Sequence, residues 1–132
     1  MKNLMLAALA GLMLPALPAA AQTAPTMEQV LADPRRAQDT ARDQYRHPAE
    51  TLAFFQVQPG MSVVDFMPAS GWFSRVLIPY LGPQGTYIGL NPRVAPDATG
   101  YMATMRDTAA QLPQQAAGWM GGAAGARVVG AN

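Results

Sequence analysis

The sequence predicts an α/β fold built on a parallel β-sheet, and three features near its centre carry the prediction. A short apolar run, Met61 to Phe66, follows the turn-forming pair Pro59-Gly60 and is typical of a strand covered on both faces. Apolar residues then recur at helical spacing between Phe73 and Leu81. A second buried-type run, Thr86 to Leu90, follows. Two strands joined by one such helix form a right-handed parallel β-α-β unit.

Residues 1–21 predict a secretory signal peptide. Lys2 gives a positive start, Leu4 to Leu17 is an apolar run, and Ala19-Ala20-Ala21 supplies small residues for cleavage before Gln22. A retained membrane-spanning helix is less favoured because prolines interrupt the run. We therefore expect an exported protein, periplasmic or secreted, with no membrane partner after the signal peptide is removed.

Composition excludes several classes of function. The chain has 132 residues and no cysteine, which excludes disulfides and thiolate metal sites. Without Lys2, the nine basic residues become eight arginines against eight acids, so the balanced charge argues against a nucleic-acid partner. One histidine and scattered carboxylates predict no metal site, and the paired Met102 and Met105 are more typical of core packing than of a copper site.

Residues 22–58 predict an N-terminal helical lead. Met27 to Leu31 can form one or two turns, a helix is expected from Pro34 behind the N-cap Asp33 to about Arg46, and Pro48 opens another that ends near Gln56. Its apolar residues, Phe54 and Phe55 among them, should anchor it to the sheet.

The 34–46 segment is polar almost all round, and two interpretations stay open. The pattern favours a solvated helix with weak ion pairs. The alternative is that Arg42, Asp43 and Arg46 point into a cleft.

The rest of the chain predicts one more helix and one more strand. After a loop from Asn91 to Gly100, Tyr101 to Ala117 should be helical, with Pro113 bending or ending the helix. A glycine-rich connection, Gly118 to Gly125, leads to a third strand that begins at Arg127. Three strands with their helices make half of an open parallel-sheet domain, so residues 59–132 are expected to be a C-terminally truncated domain, able to self-associate through the unfinished sheet edge.

Several segments together carry a resemblance to a known family: Arg42-Asp43-Gln44-Tyr45-Arg46-His47-Pro48-Ala49-Glu50-Thr51-Leu52, Pro59-Gly60-Met61-Ser62-Val63-Val64-Asp65 and Pro68-Ala69-Ser70-Gly71-Trp72-Phe73-Ser74. They resemble an exported family of predicted class I S-adenosylmethionine-dependent methyltransferases. Ile78-Pro79-Tyr80-Leu81 stands where that family has Ala-Pro-Tyr-Leu. The resemblance spans roughly residues 33–92. It implies a partial Rossmann-like sheet with a helical lead, and S-adenosylmethionine bound over the carboxyl ends of the first strands.

The resemblance also implies a set of cofactor-binding residues. The class pattern is Asp/Glu-x-Gly-x-Gly-x-Gly, which Asp65 and Gly71 match, Ala69 nearly matches and Met67 does not. Asn91 stands where the class has an acid that binds the ribose hydroxyls. No catalytic residue and no methyl acceptor can be assigned. The implied cofactor site comprises Asp65, Pro68, Ala69, Ser70, Gly71, Trp72 and Asn91.

Two other hypotheses stay open beside a methyltransferase. One is a non-catalytic exported module of the same fold that binds a small ligand or a partner, and the other is a remnant without a stable fold. Substituting Asn91→Asp and Met67→Gly should tighten cofactor binding only in the methyltransferase. A serine hydrolase is disfavoured because Ser70 lacks the Gly-x-Ser-x-Gly spacing.

Overall fold

The computed structural model describes residues 23–132, so the predicted signal peptide lies outside the described residues. The described chain is an α/β structure with a three-stranded parallel sheet. Its helices are α1 (Met27–Leu31), α2 (Asp43–Arg46), α3 (Pro48–Phe54), α4 (Ser74–Leu81) and α5 (Gly100–Met120), and its strands are β1 (Ser62–Phe66), β2 (Thr86–Leu90) and β3 (Arg127–Ala131). No helix within residues 23–132 is both long and apolar enough to span a membrane.

The strands lie in the order β1-β2-β3, which confirms the predicted β-α-β unit and the third strand. Each pair is parallel, with Asp65 beside Gly89 and Gly89 beside Gly130. Because all three strands run the same way, their carboxyl ends meet at one edge of the sheet. This arrangement is that of a partial Rossmann-like sheet.

Both long helices cover the same face of the sheet. The Tyr87 hydroxyl of β2 meets the Ser74 hydroxyl of α4 at 2.7 Å. Two residues along the strand, and therefore on the same face, Gly89 packs against Leu112 of α5. Gly130, the neighbour of Gly89 in register, packs against the backbone of α5. The glycines let this helix approach the sheet closely.

The opposite face of the sheet is largely open among the described residues. Val64 and Phe66 of β1 are 57% and 63% exposed. The neighbouring residues of β2 and β3 on this face, Ile88 and Val129 included, are only half-buried. The prediction that the first apolar run is covered on both faces is therefore wrong for this part of the chain. Self-association through the sheet stays a prediction.

The helical lead differs most from the prediction. Instead of one helix from Pro34 to Arg46, the chain makes two short 3₁₀ turns and then α2. The Asp33 side chain does cap the start, accepting the backbone N–H of Arg35 at 2.8 Å. Farther on, buried Arg36 donates to both carboxylate oxygens of Asp43, at 2.8 and 3.1 Å. In a straight helix, residues seven apart are separated by about 10 Å along the axis. The contact between Arg36 and Asp43 therefore favours a segment of short turns over one straight helix.

Two details of helix packing also differ. Phe54 and Phe55 are 80% and 69% exposed and do not anchor α3, whereas Leu52 and Val57 are buried as predicted. Pro113 does not end α5, which continues to Met120, and the alternative that it bends the helix stays a prediction. Leu112 and Ala116 are buried in the core on either side of this proline, and their packing holds the helix together there.

Candidate functional site

The loop after β1 has an unusual backbone. Met67, Ala69 and Gly71 all have positive φ angles, 57°, 49° and 76°. This left-handed conformation is open to glycine but costs other residues about 1–2 kcal/mol each. The loop is held at both ends, because Met67 N–H donates to the Leu90 carbonyl and Gly71 N–H to the Pro68 carbonyl, each at 2.8 Å. The positions in this conformation are those where the class pattern has glycine.

Two clefts meet this loop at the carboxyl edge of the sheet. The first, which we call the arginine cleft, has a volume of about 380 Å³. It is lined by Arg42, Arg46, Asp65, Phe66, Met67, Pro68, Ala69, Ser70, Trp72 and Phe73. The second, which we call the Asn91 cleft, has a volume of about 180 Å³. It is lined by Met67, Ala69, Ser70, Asn91, Tyr101, Thr104, Met105 and Thr108. Because Met67, Ala69 and Ser70 line both, the loop separates the two clefts.

Asp65 places a carboxylate in the arginine cleft. Its Oδ2 accepts the hydroxyl hydrogen of Tyr87 at 2.7 Å, and the Tyr87 oxygen in turn lies 2.7 Å from the Ser74 hydroxyl. Burial raises the pKa of Asp65, and the hydrogen bond from Tyr87 acts against this by stabilising the ionised form. Burial also raises the pKa of Tyr87, which stays a proton donor at neutral pH.

Replacement of Asp65 by asparagine is expected to increase the free energy of unfolding at pH 7. A carboxyl group whose pKa is raised by folding binds its proton more tightly in the folded state, so its ionisation lowers stability as the pH rises through the folded pKa. Asparagine removes that charge and still accepts from Tyr87. Urea unfolding between pH 4 and 8 should show the D65N and native curves converging at the acidic end. A variant less stable than the native chain at pH 7 would contradict this.

Trp72 joins the lead to the cleft. Its indole is only 2% exposed, and Nε1 donates to the Asp39 carbonyl at 3.1 Å. The guanidinium of Arg46 lies 5.0 Å from the centre of its ring system, within the range of a cation–π contact. The main contribution of Trp72 to the cleft is therefore its cation–π contact with Arg46.

A second connection fixes the loop from behind. The Arg75 guanidinium donates to both oxygens of Asp39, at 2.5 and 2.7 Å, and its Nη1 donates to the Ser70 carbonyl at 2.9 Å. Asp39 is buried, and burial acts to raise its pKa, but the hydrogen bond from Arg75 outweighs this effect and lowers the pKa. Arg75 thus ties the lead to the loop through one side chain.

The predicted cofactor residues lie in three places. Most of them line the arginine cleft: Asp65, Pro68, Ala69, Ser70 and Trp72. Gly71 is buried behind the loop, where a Cβ atom would lie 2.5 Å from the Trp119 ring. Asn91 lines the other cleft and is only 4% exposed, and its Nδ2 donates to the Met105 carbonyl at 3.0 Å.

No protein-family model, curated protein or solved structure matches this chain. The structure shows the α/β fold class, and the methyltransferase interpretation stays a prediction from the resemblance within residues 33–92. Within residues 23–132, the histidine and the carboxylates form no group of three or more side chains that could hold a metal ion.

The site also contains residues that the sequence did not single out. Tyr87 could have indicated the site, because a tyrosine in a buried apolar strand needs a partner for its hydroxyl. Arg75 could also have done so, because it is the one charge in the apolar helix α4. Asp39 gave no such signal, since it is one polar residue among many in its segment. Arg42 and Arg46 do reach a cleft, while Asp43, named with them, is paired with Arg36.

Proposed function

We propose that this chain binds S-adenosylmethionine across the Asp65–Trp72 loop and transfers its methyl group to an acceptor. The observation that carries the proposal is the left-handed backbone at Met67, Ala69 and Gly71. A strained conformation kept by residues that disfavour it is typical of a functional loop. Here it occurs at the carboxyl end of the first strand, where open α/β sheets bind their ligands.

The residues of the two clefts suit this cofactor. Its ammonium and sulfonium groups are cationic and would be attracted by the Asp65 carboxylate, while its carboxylate would suit an arginine. In the smaller cleft, Thr104 and Thr108 donate their hydroxyl hydrogens to carbonyls of α5, so towards a nucleoside they offer only acceptor oxygens. Asn91 offers its Oδ1 and the amide hydrogen that does not bond to Met105. When bound, the cofactor supplies an electrophilic methyl group. The contribution of the chain is to orient donor and acceptor and to exclude water. Export directed by residues 1–21 stays a prediction.

One observation favours a second candidate, the non-catalytic exported module. Asn91 stands in place of the acid that binds ribose, and its amide already donates to Met105. A module of this kind would keep the loop and bind a different small ligand or a partner.

Substitution of Met67 by glycine is expected to stabilise the fold by about 1 kcal/mol, because glycine removes the left-handed strain. It is also expected to tighten S-adenosylmethionine binding, because the Met67 side chain lines both clefts and glycine would let the cofactor approach the loop backbone. Isothermal titration calorimetry of the purified chain measures the affinity, and urea unfolding measures the stability. We expect saturable binding in the micromolar range for the native chain.

The matched control is Gln56→Gly. Gln56 is an exposed residue with a φ of 54° that lines neither cleft. It should give a similar stabilisation with no change in affinity. A folded chain that binds no S-adenosylmethionine at millimolar concentration would rule out the proposed cofactor and favour the non-catalytic module.

A further inference from the structure

We propose that Arg42 and Arg46 form an anion-recognition pair in the arginine cleft, which takes a carboxylate or phosphate group of the bound ligand. This inference rests on the proposed function in one respect: it assigns part of the same site. The anion belongs either to the cofactor, as its carboxylate, or to an anionic methyl acceptor.

The guanidinium groups of Arg42 and Arg46 have no carboxylate or hydrogen-bond partner among the described residues. Four of the eight arginines in the described residues donate to a carboxylate: Arg35 to Asp33, Arg36 to Asp43, Arg75 to Asp39 and Arg106 to Asp107. Of the other four, only Arg42 and Arg46 line the arginine cleft. Within residues 23–132, neither Arg42 nor Arg46 has a carboxylate within 4.0 Å or a hydrogen bond from its guanidinium to the protein. Their donors are therefore available to a ligand.

Arg46 lies against an aromatic ring while its donors stay free. Its guanidinium lies 5.0 Å from the centre of the Trp72 ring system, and the indole is itself fixed by a hydrogen bond to Asp39. Contact with an aromatic ring uses the face of a guanidinium, while its N–H groups radiate in the plane. Restricting Arg46 in advance lowers the entropy that a ligand must overcome on binding.

The arginine cleft carries an excess of positive charge. Arg42 and Arg46 carry like charges, and Asp43, which lies between them in the sequence, already accepts from Nη1 and Nη2 of Arg36. The carboxylate that lines the same cleft belongs to Asp65, and its Oδ2 is engaged by Tyr87. Among the side chains that line the cleft, two cations therefore face one anion. Asp39 also attracts Arg42, but it is paired with Arg75, so positive charge remains in excess and attracts a negatively charged group. The guanidinium fork matches the paired oxygens of carboxylate and phosphate.

The test is titration of the purified chain with inorganic phosphate, followed by NMR of ¹⁵N-labelled arginine side chains. We expect saturable shifts of the Arg42 and Arg46 Nε–H signals. R42Q and R46Q should each weaken phosphate binding by about tenfold or more, the range for a hydrogen bond to a charged group. The matched control is R93Q, because Arg93 is exposed, has no carboxylate within 4.0 Å among the described residues, and lines neither cleft. It should leave phosphate binding unchanged.

A second set of titrations identifies the source of the anion. S-adenosylmethionine is compared with 5′-methylthioadenosine, which lacks the carboxylate. If R42Q and R46Q bind S-adenosylmethionine more weakly but bind 5′-methylthioadenosine as the native chain does, the pair contacts the cofactor. Loss of phosphate binding with unchanged S-adenosylmethionine binding assigns it to an acceptor.

The phosphate titration is independent of the proposed function. If S-adenosylmethionine does not bind, the methyltransferase proposal fails, and the phosphate shifts still decide whether the pair exists. The absence of saturable shifts at Arg42 and Arg46, or an equal effect of R93Q, would overturn it. R42Q keeps the test valid if R46Q disturbs folding, since Arg42 makes no contact with the Trp72 ring of the kind that Arg46 makes.

Discussion

Replacement of Gly130 by alanine is expected to lower the free energy of unfolding by about 3 kcal/mol, the upper end for overpacking a core. A Cβ atom on Gly130 would overlap the backbone carbonyl of Ala109 in α5. A backbone carbonyl cannot rotate away as a side chain can, so the helix must move off β3. Urea unfolding followed by far-ultraviolet circular dichroism measures the loss.

Gly118 supplies the matched control for this substitution. It lies in α5, the helix that Gly130 packs against, and a Cβ atom on Gly118 would meet nothing within 4 Å. Alanine at this position should stabilise the chain by about 0.5–1 kcal/mol, the difference in helix propensity. If G130A unfolds at the same urea concentration as the native chain, the third strand does not pack against α5 as described.

The strands could be predicted because their signals are local. Thr86 to Leu90 is an apolar run between turn residues, and β2 has those bounds in the structure. The third strand was also predicted at its observed start, Arg127. What the pattern could not reveal is that β1 is open on one face, since an apolar run does not say how many layers cover it.

The lead was predicted poorly because long-range ion pairs decide its shape. Its local signals were correct at single residues, such as the Asp33 cap. However, Asp39 bonds to Arg75, which lies 36 residues farther along the chain, and a periodicity argument contains no information about such a partner. Arg42 and Arg46 line the cleft, whereas the polar pattern favours a solvated helix.

The candidate site was predictable where a motif fixed the backbone. Neither Met67 nor Ala69 favours a left-handed conformation, so residue type alone would have argued against it. Their alignment with the glycine positions of the class pattern indicated a tight loop, and both residues have positive φ in the structure. The environment of Asn91 was not predictable in this way, because it depends on how α5 packs over the end of β2.

Replacement of Asn91 by aspartate is expected to destabilise the fold by about 3 kcal/mol at pH 7, the range for an unpaired buried charge. The sequence suggested this substitution as a way to restore a ribose-binding acid. In the structure, the Asn91 amide is buried and donates to the Met105 carbonyl. A carboxylate cannot donate, so one of its oxygens would face the carbonyl oxygen without a hydrogen between them.

The pH dependence distinguishes a buried charge from a lost hydrogen bond. Burial would raise the pKa of the new carboxyl group, so the folded state would bind a proton more tightly than the unfolded state. The destabilisation should therefore be greatest above the folded pKa and should shrink as the pH falls towards about 4, where the group is protonated and can donate again. N91A has no charge at this position, so its loss of stability relative to the native chain should not change with pH.

Urea unfolding of N91D and N91A at several pH values, with calorimetric titration of S-adenosylmethionine at neutral pH, measures both effects. An N91D variant as stable as the native chain at pH 7, with tighter binding, would contradict the prediction. In that case the new carboxylate would have turned away from Met105 into the Asn91 cleft. The ribose contact would then need only a charge, and residue 91 would be the position at which this chain departs from an efficient cofactor site.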